Sequence, residues 1–393
     1  MVSGIMIAVV SLLILYITLT VVYNYFLVCA YFFIKETKPK KRAPHNSFCI
    51  FIPAHNEELL LGRLIDSLKQ LEYPVEKYEI IVIADNCNDT TEKIALDRNV
   101  TCLCRNDKLK IGKGYALSWA MEKIELSQYD AVLIIDADNY VSSDLLSELD
   151  YSLFTGSDVV QCNNSIANPD SSWFTRIHHV VRVIDNTLVH YSKYKIGLSS
   201  FLMGNGMCFR SSILERFPWR SFSLSEDYEY YTRLVLKNIF VDFNYNAKVF
   251  HQESVSLKQA QSQRSRWASG KFELIKKTSL KMLVSGIKEM NFKKIEASFI
   301  LILPHPSLLF NMTIVTLLLS MFIGWMWFFL ILALLFLQLF YFVIGLFVAR
   351  ASIKTVLSFC YAPLYLLWKA VIDINSLIGK NKPDWKRTAR KEK

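Results

Sequence analysis

Two aspartates, one residue apart, follow a strongly apolar stretch of the sequence. Asp136 and Asp138 come directly after the run AVLII at residues 131–135. Two carboxylates at this spacing suit a hard divalent cation, Mg²⁺ or Mn²⁺, that also bridges a diphosphate. Helix capping is the alternative, because Asp is favoured at N-caps. The pair alone leaves both interpretations open.

Two further polar groups lie later in the chain. Ser225, Glu226 and Asp227 open a predicted helix over residues 225–238, with Ser225 as the expected N-cap and the acids stabilised by the helix dipole. The motif Gln263-Arg264-Ser265-Arg266-Trp267 lies in a predicted helix that leads into a basic segment. Neither group by itself distinguishes chemistry from ordinary helix structure.

The elements that must position these residues are short β-rich runs alternating with helical periodicity from residue 47 onward. This alternation predicts an open α/β sheet. Successive buried strands are expected at the following positions: 48–54, 79–84, 101–104, 131–135 and 158–162. In such sheets the ligand lies beyond the carboxyl ends of the strands. Polar residues follow the strands there, at 53–58, 85–91 and 136–139.

The phosphate-binding loops common in nucleotide-binding folds are missing from the sequence. Neither G-x-G-x-x-G nor G-x-x-x-x-G-K-[ST] follows a predicted strand. A phosphate-bearing ligand must therefore be held by other means, such as a cation bound to the paired aspartates.

Length and composition indicate a membrane protein with a sizeable soluble part. The chain has 393 residues, 52% of them hydrophobic, and a net charge of +10. Residues 5–34 and 297–349 contain no Asp, Glu, Lys or Arg. About 20 apolar residues suffice for one helical crossing, so one span followed later by a hairpin of two is the simplest prediction. The first stretch is too long for a typical signal-peptide core and is expected to be an uncleaved anchor.

Basic residues beside these stretches predict the orientation. Residues 35–42, 271–295 and 380–393 carry net charges of +4, +5 and +5. Lys and Arg are retained on the cytoplasmic side, so the N-terminus is expected outside and the region from about 43 to 295 in the cytosol. A juxtamembrane position accounts for the excess charge, and no nucleic-acid partner is needed. Residues 352–378 are expected to lie on the membrane surface, with a fourth span as the alternative.

Eight cysteines are scattered through the chain. Only Cys102 and Cys104 are close together, and their spacing is too short for the usual zinc-ligand spacing. We expect all eight to be reduced and buried.

Taken together, D-A-D at 136–138, S-E-D at 225–227 and Q-x-x-R-W at 263–267 resemble the motifs of the family 2 membrane glycosyltransferases, which include cellulose, chitin, hyaluronan and poly-N-acetylglucosamine synthases. The resemblance implies a Rossmann-like GT-A (nucleotide-diphospho-sugar transferase) domain plus transmembrane helices. The expected organisation is as follows: 1–34 N-terminal span, 35–46 basic linker, 47–270 cytosolic GT-A domain, 271–296 basic interfacial helix, 297–349 transmembrane hairpin, 350–393 interfacial segment and basic tail.

The resemblance also implies residue roles for the donor, a UDP-sugar. Ala54 and Glu57 would face the nucleoside, and Asp85 would contact the uracil ring. Lys113 would approach the diphosphate, although a solvated lysine at a helix start is the alternative. Asp136 would contact the nucleotide and assist the metal, and Asp138 would be the direct ligand of Mg²⁺ or Mn²⁺.

For the transfer step, the resemblance implies that Asp227 is the general base, and that inversion gives a β-linked product from an α-linked donor. Arg266 would bind the leaving diphosphate. Trp267 would stack under the acceptor sugar, although a Trp at the membrane surface is also an ordinary interfacial anchor. The remaining expected acceptor-site residues are Gly204, Asn205, Gly206, Glu226 and Gln263.

The sequence departs from the family pattern at two places. Ser225 replaces the Thr of T-E-D, a mild change that keeps a hydroxyl. The sequence Gly204-Asn205-Gly206-Met207 matches neither the cellulose nor the hyaluronan synthase pattern, so the product is not identified. The few predicted spans make a small channel for a polymer unless the protein forms a homo-oligomer or recruits a secretion partner.

The predicted function is therefore an inverting, metal-dependent β-glycosyltransferase in the plasma membrane. It would move a hexose or N-acetylhexosamine from a UDP-sugar to a growing polysaccharide at the cytosolic face. Single transfer to a membrane lipid, as in ceramide-type glucosyltransferases, is the nearest alternative. An inactive nucleotide-binding subunit is the alternative from another class.

Overall fold

The computed structural model describes residues 2–35 and 43–380. Residues 36–42 of the predicted basic linker, 35–46, and residues 381–393 of the basic tail lie outside the described residues. Eight strands form one mixed sheet with the order β3-β2-β1-β4-β7-β6-β8-β5. The strands are β1 Phe48–Ala54, β2 Tyr78–Asp85, β3 Thr101–Arg105, β4 Ala131–Ile134, β5 Asn139–Val141, β6 Val159–Ile166, β7 Met207–Arg210 and β8 Val241–His251.

Helices cover the sheet and continue into an apolar bundle. Helices α1 to α9 are Val2–Phe33, Leu61–Leu68, Thr91–Asp97, Lys113–Lys123, Leu145–Phe154, Trp173–Ile184, Ser192–Lys195, Ser211–Arg216 and Glu226–Leu236. Helices α10 to α16 are Leu257–Leu274, Leu280–Lys288, Phe292–Ile302, Pro306–Ser320, Trp325–Val348, Ile353–Ser358 and Ala362–Leu377. Two π-helical stretches, Asp185–Tyr191 and Ile275–Ser279, continue α6 and α10.

Parallel pairing brings the carboxyl ends of the central strands to one edge of the sheet. Strand β1 pairs in parallel with β2 and β4, and β6 pairs in parallel with β8. Strand β7 lies antiparallel between β4 and β6. Alternate side chains of the strands enter two separate apolar cores, one on each face of the sheet. The polar loops that follow the strands are therefore held at one edge by two packed layers.

The predicted strands agree with the structure to within a few residues, with one difference in burial. Strand β3 lies at the edge of the sheet, and several of its side chains are exposed or half-buried rather than buried. The sequence analysis did not identify β5, β7 or β8. Strand β5 has three residues, β7 has four, and β8 carries the polar run Asn244–Asn246, so none shows a long apolar run.

Three helical stretches among the described residues are long and apolar enough to cross a membrane: Gly4–Phe33, Trp325–Val348 and Ile353–Leu377. The pair Phe292–Ile302 and Pro306–Ser320, bent by 65°, is a fourth candidate. Helix α13 alone has 15 residues, too few to span about 30 Å of hydrocarbon at about 1.5 Å per residue. The predicted hairpin thus has one short arm, and the segment expected at the surface has the length and composition of a span.

Two smaller expectations also differ from the structure. The single basic helix expected at 271–296 is divided among the end of α10, a π-helical stretch, α11 and part of α12. All eight cysteines are free, as expected, but only Cys49, Cys162 and Cys208 are buried. Cys29 and Cys360 lie on the exposed faces of apolar helical segments.

Candidate functional site

A single cavity of about 1020 Å³ lies at the carboxyl edge of the sheet. Of the residues predicted from the sequence, the following line it: Ala54, Glu57, Asp85, Lys113, Asp136, Asp138, Gly204, Asn205, Glu226, Asp227, Gln263, Arg266 and Trp267. Gly206 does not. A Cβ atom at Gly206 would lie 2.9 Å from Cys162 Cβ and 3.0 Å from Val249 Cγ2, so this residue packs against the sheet.

Two asparagines shape the loops at one end of the cavity. Asn56, after β1, and Asn86, after β2, have φ angles of 55° and 51°. Asn is one of the few residues that adopts this left-handed region readily. Glu57 and Asp85 both line the cavity, and the backbone N–H of Glu57 donates to Thr91 Oγ1 at 2.8 Å.

Asp85 is held by a buried ion pair. Arg105 Nη1 donates to Asp85 Oδ1 at 2.6 Å, and the two residues are register partners at the ends of β3 and β2. Burial raises the pKa of Asp85, and the Arg105 guanidinium opposes that rise. The pair presents an oriented carboxylate to the cavity.

The turn that carries the paired aspartates is fixed by a buried amide. Asn205 Oδ1 accepts the backbone N–H of Asp136 at 3.1 Å and Asn139 Nδ2 at 3.0 Å. Asn205 is itself 4% exposed. Its side chain therefore positions the aspartate turn, a role that differs from the acceptor contact expected from the sequence.

Lys113 connects three parts of the site. It opens α4, and its ammonium group donates to Asp136 Oδ1 and to the carbonyl of Gly204. Burial acts to lower the pKa of Lys113, but Asp136 and Glu226 outweigh burial and raise it. Lys113 is thus a charged residue in the cavity wall, and the alternative of a solvated lysine is wrong.

Asp227 lies in the first turn of α9 and faces the same cavity. Burial, followed by repulsion from Glu226, raises the pKa of Asp227 from 3.8 to about 7. Gly204, with φ at 78°, lies directly against this carboxylate, since a Cβ atom there would be 3.0 Å from Asp227 Oδ2. A buried carboxylate with a pKa near neutrality is suited to accepting a proton.

Helix α10 supplies a further part of the cavity wall. Arg266 Nε is buried and has no hydrogen-bond partner among the described residues, a position that suits an incoming anion. The Arg264 guanidinium stacks 4.5 Å from the Trp267 ring centroid, and Trp267 is 39% exposed. An aromatic face on the cavity wall can stack on a sugar ring.

The helices that carry Asp227 and Arg266 pack directly on each other at Ser225 and Gly270. A Cβ atom at Gly270 would lie 2.0 Å from Ser225 Oγ, so only glycine allows this approach. Ser225 occupies the N-cap position of α9, but its side chain makes no capping hydrogen bond. The expected capping role is wrong, and the hydroxyl serves the contact between helices instead.

His251 is a cavity residue that the sequence analysis missed. It ends β8 and pairs across the ladder with Asn139, directly after the aspartate turn. Its Nδ1 lies 2.8 Å from Asn164 Oδ1. The available signal was its place at the carboxyl end of a strand, but β8 was not predicted.

A divalent cation fits the donor set. Among the described residues, no group of three or more His, Cys, Asp or Glu could hold a metal ion unaided. Mg²⁺ is usually bound through one or two carboxylates together with substrate phosphates. Asp136 and Asp138 provide those two carboxylates at the cavity wall.

A mixed α/β sheet with such an acidic crevice at its carboxyl edge defines the GT-A class of glycosyltransferase folds. The sequence profile of the family described as Glycosyltransferase like family 2 matches residues 44–270, more than half of the chain. The chain belongs to this family. The resemblance and the fold class predicted from the sequence are both confirmed.

Two curated relatives are also glycosyltransferases. The chain is 27% identical over 240 residues to a β-monoglucosyldiacylglycerol synthase of Synechocystis sp., covering 58% of this chain and 49% of the relative. It is 26% identical over 230 residues to the probable glycosyltransferase YdaM of Bacillus subtilis, covering 56% and 54%. The chain thus spans about half the length of the curated relatives it matches.

A solved structure matches nearly the whole chain. The mannosyltransferase PcManGT of Pyrobaculum calidifontis, in complex with GDP-Man and Mn²⁺, has a TM-score of 0.59 and 17% sequence identity. The match covers 95% of this chain and 99% of that one. At this identity the match supports the shared fold, including the apolar helices.

Proposed function

We propose that this protein is an inverting β-glycosyltransferase that moves a hexose or N-acetylhexosamine from a UDP-sugar to an acceptor at the membrane surface. The observation that carries the proposal is the convergence of Asp138, Asp227 and Arg266 on one cavity. These residues come from three distant segments of the chain. Their side chains supply the charges that sugar transfer requires.

In the proposed reaction, Asp227 takes the proton of an acceptor hydroxyl as its oxygen attacks the anomeric carbon. The new C–O bond forms opposite the bond to the diphosphate, which breaks and leaves with the electron pair. Inversion follows from this geometry. Arg266 binds the departing diphosphate through its guanidinium, and Lys113 adds a second positive charge.

Asp136 and Asp138 would hold Mg²⁺ or Mn²⁺. When bound, the cation neutralises part of the charge that develops on the diphosphate. Asn205 keeps the turn rigid, so the carboxylates do not have to reorganise during transfer.

A lipid acceptor is favoured over a growing polysaccharide by the extent of the cavity. The same cavity that contains Asp227 continues between the apolar helices and is lined there by Leu309, Phe310 and Phe342. These apolar side chains suit an acyl or isoprenyl chain. The polysaccharide acceptor stays a prediction, as do an oligomer and a secretion partner.

We also propose the orientation expected from the basic segments, with the catalytic domain in the cytosol of a plasma-membrane protein. What supports it is the positive charge beside the apolar helices, together with the helices long enough to cross a membrane. Protease protection of the catalytic domain in sealed vesicles of known orientation tests this proposal.

The deciding experiment supplies membrane vesicles containing the full chain with individual UDP-sugars, with GDP-mannose as a comparison. The product is sized and its linkage determined. A single sugar on a lipid supports the proposed function, and a polymer supports the polysaccharide alternative. Binding of a donor without transfer of its sugar to any acceptor supports the inactive-subunit alternative.

A further inference from the structure

The cavity has three zones, arranged one after another along its length. The transfer zone contains Asp227, and the far zone lies between the apolar helices α13, α14 and α16. Between them the wall carries three cations among apolar residues: Arg182 from α6 and both Arg264 and Lys271 from α10. Apolar residues alone would suffice to hold a neutral lipid, so these cations need another explanation.

Two of the three cations have no carboxylate partner. Arg264 Nη2 lies 2.8 Å from Glu253 Oε2, which neutralises its charge. Among residues 2–35 and 43–380, no carboxylate oxygen lies within ion-pair distance of Arg182 or Lys271. Lys271 Nζ donates to the carbonyl of Leu303 at 3.0 Å, and Arg182 Nη1 contacts Met203 Sδ, a weak acceptor, at 3.7 Å.

One acid, Asp185, lies near both of these cations but does not form an ion pair with either. Burial raises the pKa of Asp185 to about 6, although Arg182, Lys271 and Arg264 all act to lower it. Burial and the nearby Lys369 lower the pKa of Lys271 to about 8. The charge of Lys369 is matched by Asp373, with which it forms an ion pair. The zone therefore keeps an excess of positive charge in a partly desolvated place.

The basic zone adjoins the proposed general base on one side and helix α13 on the other. Arg182 contacts Met203, the residue before Gly204, and Gly204 lies directly against Asp227. Lys271 donates to the carbonyl of Leu303, three residues before α13 begins.

Tyr228 follows Asp227 and lines the same cavity. Its phenol pKa is raised by burial and by Asp227 and Asp185, and Arg182 acts in the opposite direction. Tyr228 therefore lies in the electrostatic environment of both Asp227 and Arg182.

From this order of zones we propose that the acceptor is an anionic lipid whose phosphodiester lies between its apolar chains and the hydroxyl that receives the sugar. Arg182 and Lys271 bind the phosphodiester, and the chains lie between α13, α14 and α16. This inference rests on the proposed function and specifies the acceptor of the same site.

The proposed step keeps its atoms and charges in balance. The proton of the headgroup hydroxyl passes to Asp227, and the hydroxyl oxygen forms the bond to the anomeric carbon. The bond from that carbon to the donor diphosphate breaks, and the nucleoside diphosphate leaves. The lipid phosphodiester is not altered; its charge fixes the distance between the hydroxyl and the bilayer.

The test uses the full chain in uncharged dodecyl maltoside micelles with a labelled UDP-sugar. Dioleoyl phosphatidylglycerol and dioleoylglycerol carry the same acyl chains and both offer hydroxyls, but only the first has a phosphodiester. We expect binding and transfer to be at least about tenfold better for the phosphatidylglycerol, because each charge-assisted contact to phosphate is strong. Glycerol 1-phosphate, which lacks the chains, should compete only weakly.

The variants Arg182→Gln and Lys271→Gln should each raise the half-saturating phosphatidylglycerol concentration about tenfold and leave the KM for the UDP-sugar unchanged. Lys271→Arg keeps the positive charge and should keep phosphatidylglycerol binding, which excludes misfolding as the cause of the loss in Lys271→Gln. Lys276→Gln is the matched control, because Lys276 is an exposed lysine just beyond the end of α10 and outside the cavity.

Several results would overturn the inference. Equal use of dioleoylglycerol shows that the acceptor need not be anionic while leaving sugar transfer intact. Unchanged phosphatidylglycerol binding in both variants shows that Arg182 and Lys271 do not bind the phosphodiester. Transfer to a water-soluble glycan without lipid overturns the lipid itself. Retention of labelled phosphatidylglycerol and binding of the UDP-sugar are measured separately. Failure of the proposed function would appear as absent UDP-sugar binding and is thereby distinguished from failure of this inference.

Discussion

Lys193 and Glu296 form a buried ion pair that joins the catalytic domain to the apolar helices. Lys193 Nζ lies 2.9 Å from Glu296 Oε1, and the two side chains are 0% and 4% exposed. The hydroxyl of Tyr23, on α1, donates to the same carboxylate oxygen. Three segments far apart in sequence therefore meet at one charge, which joins α7 to the apolar helices α1 and α12.

The variant Glu296→Gln should strongly destabilise the protein. Removing one partner of a buried ion pair leaves the other charge uncompensated, at a cost of about 3–5 kcal/mol. We expect a clearly lower unfolding temperature in detergent, measured by tryptophan fluorescence. Glu273→Gln is the control, because Glu273 pairs with Lys277 on the surface, where such pairs contribute about 0–1 kcal/mol. Similar shifts for both variants would contradict the proposed anchoring role.

The variant Asp227→Asn should keep donor binding and lose transfer. Asparagine fills the same volume beside Gly204 but cannot accept the proton of the acceptor hydroxyl, so we expect a fall in kcat of about 10²- to 10⁴-fold. UDP binding by calorimetry and transfer of labelled sugar are measured on the same sample. Parallel loss of UDP affinity would identify Asp227 as a structural residue of α9 instead.

The pH dependence of transfer should show an acidic limb near pH 7. The pKa of Asp227 is raised to about 7 by burial and by Glu226, so below this pH the carboxyl is protonated and cannot act as a base. We expect kcat/KM to fall about tenfold per pH unit below the limb. Glu226→Gln removes the neighbouring negative charge and should move the limb to lower pH. An unchanged limb in this variant would show that another group controls it.

The variant Asp138→Ala should lose activation by added Mg²⁺ or Mn²⁺. The carboxylates of Asp136 and Asp138 are the cavity pair that fits the cation, and Lys113 already holds Asp136. Activity is titrated against each metal after treatment with a chelator. Asp144→Ala, at an exposed N-cap position without a capping hydrogen bond, is the control. Continued metal activation of the Asp138 variant would refute the ligand assignment.

The sequence predicted the central strands because strands covered on both faces appear as continuous apolar runs. The runs at β1 and β4 also located the polar loops after them. The short β7 could not be recognised, and it is β7 that brings the loop before it against the aspartate turn. The role of Asn205 and the packing of Gly206 therefore required the three-dimensional structure.

The acidic and basic motifs were identifiable from residue type and spacing, but their mutual arrangement was not. Nothing local in the sequence places Lys113 against both Asp136 and the Gly204 carbonyl, since these contacts join segments far apart in the chain. The basic zone around Asp185 was missed for the same reason. Arg182 lies in an amphipathic helix and Lys271 in a largely polar one, and neither sequence pattern marks a binding site.

The variant Arg105→Gln should weaken UDP binding more at low pH than at high pH. Arg105 is the charge that opposes the burial-driven rise in the pKa of Asp85, so its removal raises that pKa further. A protonated Asp85 cannot accept a hydrogen bond from the uracil ring as a carboxylate does. A hydrogen bond to a charged group contributes about 1.5–3 kcal/mol, so we expect the Kd for UDP to rise about tenfold or more at the acidic end of a pH series.

Toward the alkaline end of the series part of this loss should be recovered, because a group with a raised pKa is ionised as the pH increases through that value. Calorimetric titration of UDP across the series measures the effect. Arg98→Gln is the matched control, since Arg98 pairs with Asp66 at 2.9 Å on the exposed surface of the same domain. UDP affinity that is independent of Arg105 throughout the series would show that Asp85 does not contact the base, and that the buried pair serves only to join β2 to β3.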